Sequence, residues 1–214
     1  MYKKVFIVCS LFLLLMVNPS LADQYGFYKI TNNGNPDVGA QLYVEVTDAG
    51  GGQVRFEINN SGPVASSICD IYFDDGALLG IASIVNGSGT LFDDPATPGD
   101  LPGGNLAIPP FVTTDALSAD SDSPVEANGI NPGEWAAIIF NLKAGKGFTD
   151  VIGFLDDGGL RIGLHVQAIG TPGGSDSYVN DGDHNGEVPE PISLILLGSG
   201  LVGVGLYRRF RKSK

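Results

Sequence analysis

Apolar and polar residues alternate in short runs between residues 25 and 169, the two-residue period of strands that bury one face. The cleanest run is 41–47, with Leu42, Val44 and Val46 on one face and Tyr43 and Glu45 on the other. Asp48-Ala49-Gly50-Gly51-Gly52 turns the chain into 53–59, where Val54, Phe56 and Ile58 point inward and Arg55 and Glu57 outward. These two runs predict an antiparallel hairpin. Residues 25–30 predict a first strand. Residues 68–73 are more apolar on both faces than the other runs, which predicts a central strand, ended by Asp74-Asp75-Gly76. Further strands are expected at 79–85, at 135–142 after Asn131-Pro132-Gly133, and at 160–169. In the last, Ile162, Leu164, Val166 and Ala168 fall inward and Arg161, His165 and Gln167 outward.

Two segments depart from this period. Over 148–155, Val151, Ile152 and Leu155 share a helical face, Thr149 is a candidate N-cap, Phe148 a staple, and Asp156-Asp157-Gly158-Gly159 a stop. It is the one helix expected between the two ends of the chain. Residues 86–134 hold seven Gly, seven Pro and eight acidic residues, with no Lys or Arg. A connection this long is either functional or disordered. Leu106-Ala107-Ile108-Pro109-Pro110-Phe111 is apolar enough to pack on a sheet edge, so an ordered excursion is expected. Strand count and Gly/Pro turns predict an all-β fold: an antiparallel β-sandwich with one short helix, in a single domain over 23–180.

The ends read differently. Lys3 and Lys4 precede an apolar run at 5–17, Asn18-Pro19 breaks it, and Ser20-Leu21-Ala22 offers small residues for a cut between Ala22 and Asp23. Residues 1–22 therefore predict a secretory signal helix, handled by the Sec translocon and signal peptidase. Residues 188–214 hold Val188-Pro189-Glu190-Pro191, an apolar run of 16 residues at 192–207, and a basic end with Arg208, Arg209, Arg211 and Lys212. As a helix the run reaches roughly 24 Å, at about 1.5 Å per residue. Snorkelling arginines and local thinning extend that to a transmembrane helix, and the basic cluster holds its end on the cytoplasmic side of the inner membrane.

This order of Pro-Glu-Pro, Gly-studded span (Gly198, Gly200, Gly203, Gly205) and Arg-rich end resembles the PEP-CTERM sorting signal of Gram-negative bacteria that make exopolysaccharide. The resemblance implies that the membrane transpeptidase exosortase is a partner. It also implies that the anchored form is an intermediate, cut near Pro189-Glu190-Pro191 and released to the cell surface. Tails of this type also accompany ice-binding proteins, but no regularly repeated Thr-x-Thr rows occur here. The segments Asn131-Pro132-Gly133-Glu134-Trp135, Asp150-Val151-Ile152 and 160–167 are similar to a recurring exported body found with this tail, which implies a common fold and no chemistry.

Charge narrows the partners. Residues 23–187 carry 23 acidic and 5 basic side chains, a net of −18. That excludes a nucleic-acid surface, which needs Lys and Arg; it suits solubility after export or the binding of cations. Once the signal is removed Cys69 is alone, so no internal disulfide forms. It is expected to be a buried small hydrophobe, with Cys69→Ser worse tolerated than Cys69→Ala.

Candidate chemistry is sparse. Asp181-Gly182-Asp183-His184-Asn185-Gly186-Glu187 has the first half of a Ca²⁺ loop, with Asp181, Asp183 and Asn185 as candidate metal ligands and Gly186 at the sharp turn. The closing bidentate Glu is replaced by Ile192, so residues 181–187 read first as an acidic spacer and no cofactor is expected beyond a candidate Ca²⁺. Asp74-Asp75, Asp93-Asp94 and Asp156-Asp157 read as turns; a glycosidase pair among them is the alternative. His165 is expected to be an exposed strand residue. The reading is a non-enzymatic protein of the cell surface or exopolysaccharide matrix, structural or adhesive. A Ca²⁺-dependent carbohydrate-binding module and a secreted glycosidase are the alternatives.

Overall fold

The computed structural model describes residues 22–171 and 173–182. The chain divides into two compact units, Met1–His184 and Asn185–Lys214. The proposed transmembrane helix at 192–207 and nearly all of the signal segment lie outside the described residues. Among the described residues, no helix is long and apolar enough to cross a membrane.

The body is antiparallel β throughout. The expected hairpin forms as β2 (Leu42–Gly50) and β3 (Gln53–Asn60), in register from Leu42↔Asn60 to Asp48↔Val54. β3 pairs with β8 (Glu134–Leu142), and β8 with β5 (Leu78–Asn86). On the other side of β2 lies β1 (Asp23–Lys29), which divides its bonds: Asp23 to Gly26 pair with β2, and Phe27 to Lys29 pair with β10 (Gly174–Asn180). From there the order continues through β9 (Arg161–Ile169), β4 (Ser67–Asp74), β7 (Ser118–Ser121) and the two-residue β6 (Phe92–Asp93). The result is one ten-stranded sheet. Its outer strands come together where Phe92 N–H donates to the Asn86 side-chain oxygen at 2.8 Å, so the sheet is nearly closed and barrel-like.

The interior is what the alternation asks for. Val44, Val46, Val54, Phe56 and Ile58 are fully buried, as are Ile162, Leu164 and Val166. Phe56 of β3 and Phe140 of β8 meet Phe73 of β4 edge-on, at ring centroid distances of 5.2 and 4.6 Å, so side chains from both halves of the sheet share one core. β4 is buried from Ser67 to Phe73, as expected of a central strand. One inward assignment is corrected. Ala168 sits at φ 50 in a bulge between β9 and β10, and Ile169 takes the buried place instead.

Two helices occur among the described residues, not one: α1 (Val125–Asn128) and α2 (Phe148–Asp157). α2 starts before Thr149, so Thr149 is not its cap. The Gly147 N–H instead donates to the Asp150 carboxylate at 2.9 Å, and Gly158 at φ 76 closes the C-terminus in the left-handed conformation that favours glycine. Val151 and Leu155 are its buried face.

The excursion at 86–134 is ordered: it supplies β7 and β6 at one end of the sheet, while its stretch from Ala96 to Phe111 packs on a sheet face and not on an edge. Ala96, Leu101, Ala107 and Phe111 form a second apolar cluster with Tyr72 of β4 and Val179 of β10. Gly163 of β9 makes room for them: a Cβ there would stand 2.7 Å from Leu101 Cδ2 and 3.0 Å from Phe111 Cζ. Arg161 fastens the segment, donating to the carbonyls of Pro109 and Pro110 at 2.6 Å each while pairing with Asp74 and lying over the Phe111 ring.

Candidate functional site

The covered face of the sheet carries a row of polar side chains in register. Asp120 of β7 pairs with Asp70 of β4, Asp70 with His165 of β9, and His165 with Ser177 of β10. Directly opposed residues point to the same face. His165 Nδ1 and Asp70 Oδ2 are 2.7 Å apart, and both side chains are largely buried. An ionised carboxylate only accepts, so Nδ1 carries the proton in this pair and Nε2 is the nitrogen left for other partners. Burial pushes the Asp120 carboxyl up, against the Thr97 N–H that bonds it, and the neighbouring Asp70 adds to the rise.

Beside this row, Asp176 of β10 is buried and saturated. It pairs with Lys29 of β1 at 2.8 Å and accepts from the Thr31 hydroxyl (2.8 Å), the Asn33 N–H (3.0 Å) and the Asn35 amide (2.9 Å). Burial alone would raise its carboxyl, but Lys29, Asn35, Thr31 and Asn33 together hold it below the ordinary Asp value. The Ser177 N–H donates to the Thr31 hydroxyl at 2.8 Å. These groups tie the segment after β1 to β10 and shape one side of a cleft of about 720 Å³. Pro102, Gly103 and Leu106 of the excursion also line it. A smaller concavity of about 390 Å³ lies between Tyr28, Ile108, Pro109 and the residues around Asp156 and Asp181.

His165 is therefore not the exposed strand residue expected. The alternation assigns its face correctly, but the excursion covers that face. Asp70, Asp176, Ser177 and Thr31 were not singled out from sequence, because an isolated polar residue in a strand or loop gives no periodic signal. One cue existed: with only 5 basic residues in the body, Lys29 had many acids to choose from and is most stabilising beside a buried one.

Cys69 is buried as expected, its Sγ 3.6 Å from the Ser67 carbonyl and 3.7 Å from that of Val125. Burial pushes its thiol up to about 11. The acidic pairs serve turns and ties. Asp74 holds Arg161, Asp75 binds Lys143 at 2.7 Å, and Asp93 accepts the Asp94 N–H. Asp156 accepts the Tyr25 hydroxyl at 2.9 Å, and Asp157 accepts the Gly159 N–H.

At the ends of the body, Ala22 immediately precedes β1, and Asp23 is its first residue, opposite Val46. Asp181 follows β10, its N–H donating to the Gly26 carbonyl at 3.2 Å. The other candidate metal ligands, Asp183 and Asn185, lie outside the described residues, among which no group of three or more His, Cys, Asp or Glu could hold an ion. Val188, Pro189, Glu190, Pro191, Arg208, Arg209, Arg211 and Lys212 are likewise outside them.

Residues 187–212 match the family model of the PEP-CTERM protein-sorting motif. The chain thus carries a sorting signal of the exosortase-processed class, which implies export and a membrane-anchored intermediate. No curated protein and no solved structure matches the chain.

Proposed function

We propose that the body is a non-enzymatic protein of the cell surface or exopolysaccharide matrix, structural or adhesive, released there when exosortase cuts the tail. The observation that carries this reading is the sorting motif at 187–212, placed directly after an ordered β body that runs from Asp23 to Asn180. The strong acidity of the body supports a soluble life outside the membrane after cleavage. The fold itself reads as two facing layers joined through β1, a reading supported by the meeting of Phe56 and Phe140 with Phe73.

Intact-mass measurement of the cell-surface and extracellular pools tests the proposal. A mature species with its N-terminus at Asp23 and its C-terminus near Pro189-Glu190-Pro191 is expected. A mature pool ending at Lys214 would overturn release and leave a permanently anchored protein.

A further inference from the structure

The long excursion does more than cover a sheet face; it lines part of the cleft that His165 also lines. We propose that this cleft is a calcium-independent binding site for a neutral, polyhydroxylated ring, a hexose unit of a glycan. The proposal deepens the matrix reading by naming a ligand class and a site for it.

Charge and the mixed polar and apolar lining of the cleft point to this ligand class. Of the residues lining the cleft only His165 and Asp176 titrate, and each is already paired, His165 with Asp70 and Asp176 with Lys29. A cationic ligand finds no available carboxylate there, because Asp176 is saturated by its four donors. An anionic ligand must approach a body of net charge −18. A neutral ligand meets neither obstacle.

The lining then selects its shape. Asn32, Asn33, Ser175 and His165 contribute polar groups to the lining. The Asn33 amide donates to the Ser175 carbonyl at 2.8 Å, which fixes its orientation and leaves its oxygen as an acceptor. Asp70 likewise fixes His165, leaving Nε2 as the ring nitrogen that can bond a ligand hydroxyl. The lining also has apolar groups, Ile30, Pro102 and a Leu106 that is 57% exposed. A pyranose ring offers partners to both kinds of group, hydroxyls to the polar ones and a C–H face to the apolar ones. The volume of about 720 Å³ falls within the range of small-molecule sites, roughly 300–1,000 Å³.

The test uses the full chain, purified in a sugar-free zwitterionic detergent, and saturation-transfer NMR. The probes are glucose, galactose, mannose and their oligomers, with glucuronate and glucosamine as charged controls. Saturable millimolar binding of at least one neutral sugar is expected, unchanged by a calcium chelator. It should weaken about tenfold in Leu106→Asp and in His165→Gln. Leu106 is on the surface, so its variant should fold even if the His165 variant does not; its thermal melt checks this. No saturable neutral-sugar signal, equal binding by a folded Leu106→Asp, loss with the chelator, or preference for a charged control would each overturn the proposal. Because nothing in the test depends on tail cleavage, the site and the sorting reading stand or fall separately.

Discussion

Lys29 and Asp176 form a 2.8 Å ion pair between β1 and β10, with the carboxylate wholly inside the protein. Removing the lysine leaves a buried charge with neutral donors alone. Lys29→Met is therefore expected to cost about 3 kcal/mol, read by denaturant unfolding. The pair also sets an acid limit. A carboxyl held below its ordinary value adds stability that is present above the unfolded pKa, about 3.9, and is lost as pH falls through the folded one. Unfolding curves between about pH 6 and pH 2 should show this loss, and Lys29→Met should reduce it.

Cys69 is packed and inert. Native-state labelling by a thiol reagent should be slow, limited by opening of the body, since the thiol is 1% exposed and raised to about 11. Cys69→Ala should cost about 1 kcal/mol. The structure revises the serine expectation: carbonyls of Ser67 and Val125 lie beside Sγ, so a hydroxyl there has acceptors. Cys69→Ser should match alanine to within about 1 kcal/mol. A much larger loss for serine in thermal melts would contradict this.

Gly163 is the seat of the excursion. Alanine there should cost about 1 kcal/mol, since the Leu101 and Phe111 side chains can shift by a few tenths of an ångström. Gly163→Leu needs the space both occupy and should cost more than about 2 kcal/mol. Limited proteolysis should then cut within residues 98–111, which stay protected in the parent protein.

Ala168 at φ 50 reverses the usual rule for strands. Glycine within a strand ordinarily costs about 0.5–1 kcal/mol relative to alanine, as Ala137→Gly on β8 should show. Ala168→Gly relieves a left-handed alanine and should be neutral or stabilising by up to about 1 kcal/mol. Equal destabilisation by both substitutions would argue against the bulge.

The parts of the fold legible in the sequence are those where burial is apolar and regular. β2, β3, β8 and most of β9 could be read because nearly every inward position is Val, Ile, Leu or Phe, with Asn60 and Ala136 the exceptions on β3 and β8. β10 and β7 could not. Their buried positions include Asp176, Ser177 and Asn180 in one and Ser118 and Ser121 in the other, residues that also make turns. What keeps such residues inside is bonding from distant segments, such as the Asn180 oxygen accepting the Ile162 N–H at 2.6 Å and the Ser118 hydroxyl accepting from Ala96. A periodicity reading cannot see those partners. His165 failed for a related reason: facing away from the main core is not the same as facing water when another segment lies on top.

The divided pairing of β1 also fixes when folding can finish. β1 is the first strand of the body to leave the ribosome; its first half can join β2 almost at once, but its second half pairs only with β10, the last strand made. Nearly the whole body must be synthesised before that seam closes, so its completion waits on the slowest, most non-local contacts. A chain broken off between Ile169 and Gly174 would leave half of β1 and one side of β9 unpaired, edges that β10 covers in the intact protein. Exposed edges of that kind invite proteases and aggregation, so truncated copies would be cleared, not sorted.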